Sequence, residues 1–243
     1  MEIPVAADDA GRGKAGLAPV HCLVFLRARS DLRAEAFQDW YVSDFAPRLL
    51  GPRLRRHVAN LAVDGPAELR PAQGVADPNA RYDVVADLDF DDVAAFRAAF
   101  DGPELADRAD IRHAYRVTRT IVIDQEAPRQ ESLPGYKVIR EIMFHADMPD
   151  TAARRSWTHH GNLARKVHVG VTRYVQHWVE QKLSPNAFPI RGISELYVPS
   201  WETLATRYYD SPRGREEVTH DAGHFIADQL PRVYARERLL ATG

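Results

Sequence analysis

Residues 55–60 read RRHVAN, and residues 172–177 read TRYVQH. The match sets His57 against Tyr174 and Asn60 against His177. It extends outward in both directions. VADLDF at 85–90 faces ISELYV at 193–198, so Asp87 corresponds to Glu195. AAFDGP at 98–103 faces RYYDSP at 207–212. A chain that says the same thing twice is read as a structural repeat before anything else.

Each copy has the same order of elements. From Val20 come an apolar strand (VHCLVFLRA), an amphipathic helix (LRAEAFQDWYVSDFAPRLL) and a strand (RRHVANLAV). After a loop rich in Pro and Gly come a strand (ARYDVVADLDF), a helix (DDVAAFRAAF), a DGP turn and a strand (YRVTRTIVI). From Tyr136 the order restarts: YKVIREIMFHA as a strand, PDTAARRSWTHHGNLARKVH as a helix capped by Asp150 or Thr151, and VTRYVQHWVEQ as a strand. RGISELYV is the next strand, and SWETLATRYYDSPRG gives a helix and a turn. A final strand is placed within FIADQLPRVYARERLL. The pattern is βαββαβ twice, a tandem ferredoxin-like α+β arrangement. Each antiparallel sheet carries its helices on one face and needs cover on the other. The second copy supplies it, and the two sheets are expected to form a barrel-like body around a space between them. The boundaries are a flexible tail at 1–18, a first repeat at 19–126, a linker at 127–135 and a second repeat at 136–243.

Composition excludes several classes. The net charge is −2, with acidic and basic residues interleaved, which argues against a nucleic-acid partner. No apolar run reaches the length of a membrane span, and the amino-terminal stretch lacks the apolar centre of a signal peptide. The single cysteine, Cys22, lies in an apolar strand and reads as a buried, inert thiol in a cytoplasmic protein. Glycine-rich phosphate loops and a nucleophile elbow are both missing from the sequence.

Four segments resemble the EthD-like branch of the dimeric α/β barrel superfamily: FQDWYVSDFAPRL, SWTHHGNLA, RYVQHW and SELYV. The resemblance spans nearly the whole chain as two fused copies. It implies small-molecule chemistry in aromatic breakdown or in pigment and polyketide synthesis. It places a functional helix-end histidine at His160, where the first copy has Phe45. It also brings a rival, since relatives in the superfamily ligate haem with one histidine. Seven of the ten histidines follow the linker, so one site in the second repeat is expected.

The residues themselves narrow the chemistry. Trp157, His160 and Ala164 share the apolar face of their helix, while His159 points toward solvent. A histidine against an apolar pocket can move a proton in either direction. The competing reading is a half-buried imidazole held by a backbone carbonyl. Strand alternation makes Val84, Ala86, Leu88 and Phe90 face the helices. Asp87 and Glu195 therefore face the space between the sheets. There Glu195 would have a raised pKa unless paired; the competing readings are an exposed carboxylate at the barrel rim and a salt bridge to an arginine such as Arg173 or Arg140. Tyr174 and Trp178 share one face of their strand and His177 takes the other, with the lining face left open. His145, at a strand end, reaches the pocket mouth or is simply solvated; His220 and His224 carry little weight.

The expected site is the inter-sheet space, rimmed by Trp157, Tyr174, Trp178 and Tyr197, with His160 as acid/base assisted by Glu195 or a tyrosine hydroxyl. It would take a flat, apolar, aromatic or polyketide-like carbonyl compound and perform cyclisation, dehydration or decarboxylation without a metal or an organic cofactor. His160, His177, His145 and Glu195 have no local metal-ligand spacing. The alternatives are a haem-binding or cofactor-free oxygenase and a non-catalytic carrier. Exposed sheet edges leave room for a homodimer.

Overall fold

A computed structural model describes residues 19–51, 53–66, 82–125, 132, 134–229 and 232–242. The expected tail (1–18) and most of the linker lie outside the described residues. The first half contains strands β1 (Val20–Ala28), β2 (Leu54–Ala62), β3 (Val84–Phe90) and β4 (Ala109–Asp124). Its helices are α1 (Ala34–Trp40), α2 (Ala46–Leu49), α3 (Val93–Phe100) and α4 (Pro103–Ala106), and a π-helical turn at Tyr41–Phe45 joins α1 to α2. The second half contains β5 (Tyr136–Phe144), α5 (Asp150–Val167), β6 (Arg173–Lys182), β7 (Gly192–Val198), α6 (Trp201–Thr206), α7 (Pro212–Gly223), β8 (Ile226–Gln229) and β9 (Val233–Thr242). Among the described residues, no helix is long and apolar enough to cross a membrane.

The strands run β7-β6-β4-β1-β3-β2-β9-β5-β8, and a further pairing of β7 with β5 closes eight of them into an antiparallel barrel. The expected α+β repeats are therefore present, and their sheets are joined edge to edge. β4 of the first half pairs with β6 of the second, and β2 pairs with β9. Closure leaves only the short β8 hanging from β5, which removes the edge problem that two separate four-stranded sheets would have.

Alternation then sorts side chains to the two faces of the wall. Cys22, Val24, Leu26, Val84, Ala86, Leu88 and Phe90 face outward, under the helices of the first half, as expected. Phe37, Trp40, Tyr41 and Phe45 cover them. Phe45 packs among Trp40, Tyr41 and Phe100, with ring centroids 5.3, 5.5 and 5.6 Å away. Burial raises the Cys22 thiol to about 12, in line with an inert side chain. The inward set, including Leu23, Phe25, Val85, Tyr115, Ile139 and Ile193, forms a second buried cluster that fills the barrel.

Three details differ from the expected elements. Helix α5 begins after Pro149, which gives no side-chain cap; Asp150 is its first residue and pairs with Arg191 at 2.9 Å. The unexpected α7 is capped by Ser211, whose hydroxyl accepts from the Gly214 N–H, with Pro212 in its first turn. The carboxy-terminal region holds two strands, β8 and β9, where one was expected.

Gly192 on β7 sets how closely α5 sits on the sheet. A Cβ there would lie 2.8 Å from the Trp157 indole. Trp157 is buried against Phe144 and Trp178 and cannot swing away. Gly192→Ala is expected to destabilise the protein by about 1–3 kcal/mol through overpacking, read as a lower midpoint in urea with an unchanged slope.

Candidate active site

The nine residues singled out from sequence fall on two sides of one sheet. His160, Trp157 and Tyr174 line a cavity of about 1390 Å³ between the outer face of the second-half sheet and helices α5, α6 and α7. Glu195, His177, Tyr197 and Asp87 point the other way, into the barrel. Trp178 is buried beside Trp157 and Phe144. His145 staples the end of α7, with Nε2 3.1 Å from the Gly223 carbonyl oxygen. The expected inter-sheet pocket is thus corrected. That space is packed with side chains, and His160 and Glu195 cannot share a substrate because the sheet separates them.

Helix α5 carries His160 into the outer cavity. Gly161 allows this close approach: a Cβ there would meet Val122 at 3.1 Å and Gln176 at 3.4 Å. His160 is buried, His159 exposed. The ring lies edge-on to Phe225, and its Nδ1 is 2.7 Å from Asp221 Oδ2 on α7. Burial lowers the His160 pKa, the Asp221 hydrogen bond opposes that shift, and the net direction is down. The ring is then neutral near pH 7, with Nδ1–H donating to the carboxylate and Nε2 carrying the lone pair. Nε2 has no protein partner among the described residues. The competing reading of a histidine held by a backbone carbonyl describes His168 instead, whose Nδ1 lies 2.9 Å from the Tyr208 carbonyl oxygen in the same cavity.

Tyr174 settles which face of β6 lines the cavity. Its hydroxyl accepts from Gln176 Nε2 at 3.0 Å, which leaves its own proton free to donate. Burial raises its pKa to about 12, so it stays protonated. Asp221 was not visible from sequence. Its helix has one buried apolar side chain, Val218, and so no periodicity to announce it. The Ser211-Pro212 start signal was the available clue.

The inward residues form an ion-pair network. Lys137 lies 3.3 Å from Glu195 and 2.9 Å from Glu237, and its Nζ sits over the Tyr197 ring at 4.5 Å. Burial alone would raise the Glu195 pKa; Lys137 and His177 outweigh it and hold the group at about 2. Glu195 is thus paired, and its partner is a lysine on the adjacent strand, not Arg173 or Arg140. Asp87 is held well below the usual carboxylate range, because Arg56 at 2.9 Å and Arg119 at 3.5 Å outweigh its burial. His21, Asp87 and Asp89 bring three potential metal-ligating atoms within 4.8 Å of one another. Arg56 and Arg119 already supply positive charge there, so the cluster reads as a salt-bridge network.

Deeper in the barrel, Glu141 accepts from Tyr82 at 2.8 Å and Tyr115 at 3.0 Å, and Tyr82 is also 2.9 Å from His113 Nδ1. Burial raises Glu141 to about 7 against those two hydrogen bonds. A raised carboxyl pKa means the folded state holds the proton more tightly, so its contribution is full below pH 4.5 and is lost as pH rises to about 7. Glu141→Gln keeps one of the two acceptor oxygens and, like the protonated acid, carries no charge, which removes the titration. Relative to the wild type, the variant is expected to gain about 3 kcal/mol between pH 4.5 and 8, measured by urea unfolding across that range.

A barrel of two βαββαβ halves with a cavity beneath its second-half helices defines a protein of the dimeric α/β barrel class, here closed by a single chain. The EthD domain matches residues 29–113 and again residues 145–229, well over half of the chain, and the protein belongs to the EthD family. No curated protein matches it. Among solved structures, an anthrone oxidase-like protein superposes with a TM-score of 0.62 at 10% identity, over 92% of this chain and 94% of that one. A candidate monooxygenase from Fusobacterium nucleatum gives 0.51 at 9% identity, over 93% and 94%. A variant chlorite dismutase from Candidatus Nitrospira defluvii gives 0.50 at 8% identity, over 91% of each chain. At these identities the likeness is one of fold.

Proposed function

We propose that the protein is an enzyme that moves a proton on a flat, oxygenated carbonyl compound, aromatic or polyketide-like, held in the cavity between the second-half sheet and α5–α7. One observation carries this reading: His160 meets a 1390 Å³ cavity with Nδ1 fixed by Asp221 and Nε2 unpartnered. The Nε2 lone pair takes a proton from the carbon beside the carbonyl. The carboxylate of Asp221 then stabilises the imidazolium. The electrons of the broken C–H bond move to the carbonyl oxygen as an enolate, and the Tyr174 hydroxyl is a donor for it. Returning the proton elsewhere gives isomerisation or ring closure; returning it to a leaving hydroxyl gives water loss. The packed aromatic wall of Trp157 and Phe225 limits water near the reacting carbon.

The test is deuterium wash-in. Enolisable aryl ketones and polyketide-like 1,3-diketones are incubated with the protein in D₂O and followed by proton NMR. Exchange that the wild type accelerates and His160→Ala does not supports the reading. Exchange at the solvent rate across the panel removes it.

The same histidine supports a second reading. A ring nitrogen opposite one fixed by a carboxylate is well oriented as a metal ligand, and the cavity has room for a haem. His160 would be its ligand, and the group would supply oxidation–reduction chemistry. An absorption spectrum and native mass of the freshly purified protein decide between them: a Soret band with the matching added mass favours haem, and a colourless protein at its polypeptide mass favours proton transfer.

A further inference from the structure

Arg140 is an odd residue in this cavity. It lies on β5, on the outward face with Val138 and Ile142, and lines the same space as His160. Among the described residues it has neither a hydrogen-bond nor an ion-pair partner. Arg140 is half-buried, whereas the fully buried charges Lys137 and Asp87 are paired, Lys137 with two carboxylates and Asp87 with two guanidiniums. Burial pulls Arg140 down to about 10, and a second cation, Arg232, pushes the same way. Arg232 lines the cavity too, and its Nη1 donates to the Tyr234 hydroxyl at 3.4 Å. Tyr208 and Tyr209 line the same cavity. A half-buried guanidinium without a paired counter-charge is costly unless a ligand completes it. The carboxylates on the cavity wall are Asp210, Glu216 and Asp228. None of them forms an ion pair with Arg140.

We infer that Arg140, backed by Arg232, is the anchor for a ligand carboxylate, so that the cavity takes a planar compound bearing an acidic group, not a neutral one. This deepens the proposed function and rests on its cavity. It does not rest on the chemistry assigned to His160. Arginine suits the task because its planar fork matches a carboxylate with two parallel N–H donors. Such an anchor would also fix which carbon of the substrate is presented to His160 Nε2. A haem would offer the same chemistry through its own carboxylates, so the experiment must separate the two sources.

The measurement is calorimetric titration of the wild type and Arg140→Met with 6-hydroxy-2-naphthoate and with its neutral amide, together with thermal unfolding of both proteins without ligand. The acid is expected to bind the wild type at least ~10-fold more tightly than the amide. Arg140→Met should erase that preference while leaving amide affinity within about twofold, and its unliganded melting temperature should not fall, since an unpaired cation is removed. Equal affinity for acid and amide in the wild type overturns the inference, as does failure of both to bind at millimolar concentration. A preference that survives Arg140→Met also overturns it, and a lower melting temperature in that variant marks Arg140 as structural. Haemin is the third probe. A Soret shift that needs Arg140, with no preference for the naphthoate, assigns the anchor to haem carboxylates. A naphthoate preference without haemin uptake assigns it to a substrate acid. Absence of deuterium exchange in the earlier test would leave all these outcomes readable, because none depends on turnover.

Discussion

Lys137→Met is expected to lower stability by about 3–5 kcal/mol, the range for breaking a buried charge pair. For a chain of this size that corresponds to a fall in melting temperature of roughly 10 °C or more. Lys137 is 1% exposed and stands between Glu195 and Glu237, themselves almost wholly buried. Removing its charge leaves two carboxylates inside a closed barrel, where an unpaired charge is strongly disfavoured. Glu195 then loses the main interaction that holds it at about 2, and it takes up a proton nearer to neutral pH. In the wild type, the depressed Glu195 contributes stability that is present above pH 4.5 and lost as pH falls toward about 2. In the variant that window should move upward. A triple replacement, Lys137→Met with Glu195→Leu and Glu237→Leu, should recover most of the loss, because well-packed apolar groups often replace a buried ion network at little cost. A single variant that unfolds like the wild type at pH 7 would show that the lysine is dispensable.

The second large effect is on turnover. His160→Ala is expected to reduce the catalysed exchange by ~100-fold or more, the usual weight of a positioned acid/base, with little change in the urea midpoint. Asp221→Asn should keep the ring in place and cost ~10- to ~100-fold, as a supporting partner does. The pH profile separates the two roles. The wild-type acid limb should lie below the ordinary histidine value of 6.5, since burial lowers the His160 pKa. In Asp221→Asn that limb should move lower still, because the hydrogen bond that opposes the lowering is weakened. A limb that stays put would assign Asp221 to packing alone.

Much of the fold was legible because strands and turns repeat with the chain. RRHVAN and TRYVQH announce equivalent strands, and the outward set of Val84, Ala86, Leu88 and Phe90 follows from alternation. The histidine pair was legible too, since one helical step separates buried His160 from exposed His159. The site was misassembled for a physical reason. Helices pack on the face opposite the barrel interior, so a helix residue such as His160 cannot meet an inward strand residue such as Glu195. Alternation alone already contained that conclusion. Asp221 was hidden because α7 is polar almost all round, and it is fixed by its cap and by packing against α5 and not by an apolar stripe. The choice of Lys137 over an arginine as partner of Glu195 needs the β5–β7 register, which pairs Ile139 with Glu195 and Lys137 with Tyr197, and no pattern in one strand reveals it.

The pairing of β2 with β9 also bears on how the chain reaches this state. Asn60 lies opposite Glu237, and Val58 opposite Leu239. The loop entropy of such distant partners must be met before any of their hydrogen bonds form, a topology that folds slowly. During synthesis, the first half emerges with both β2 and β4 open at their edges. β6 can cover β4 only after α5 has been made, and β2 waits for β9, which follows every other strand. For that interval the nascent protein is an open curved sheet, and a ribosome stalled ahead of β9 would release a chain with a bare edge that invites pairing with its neighbours.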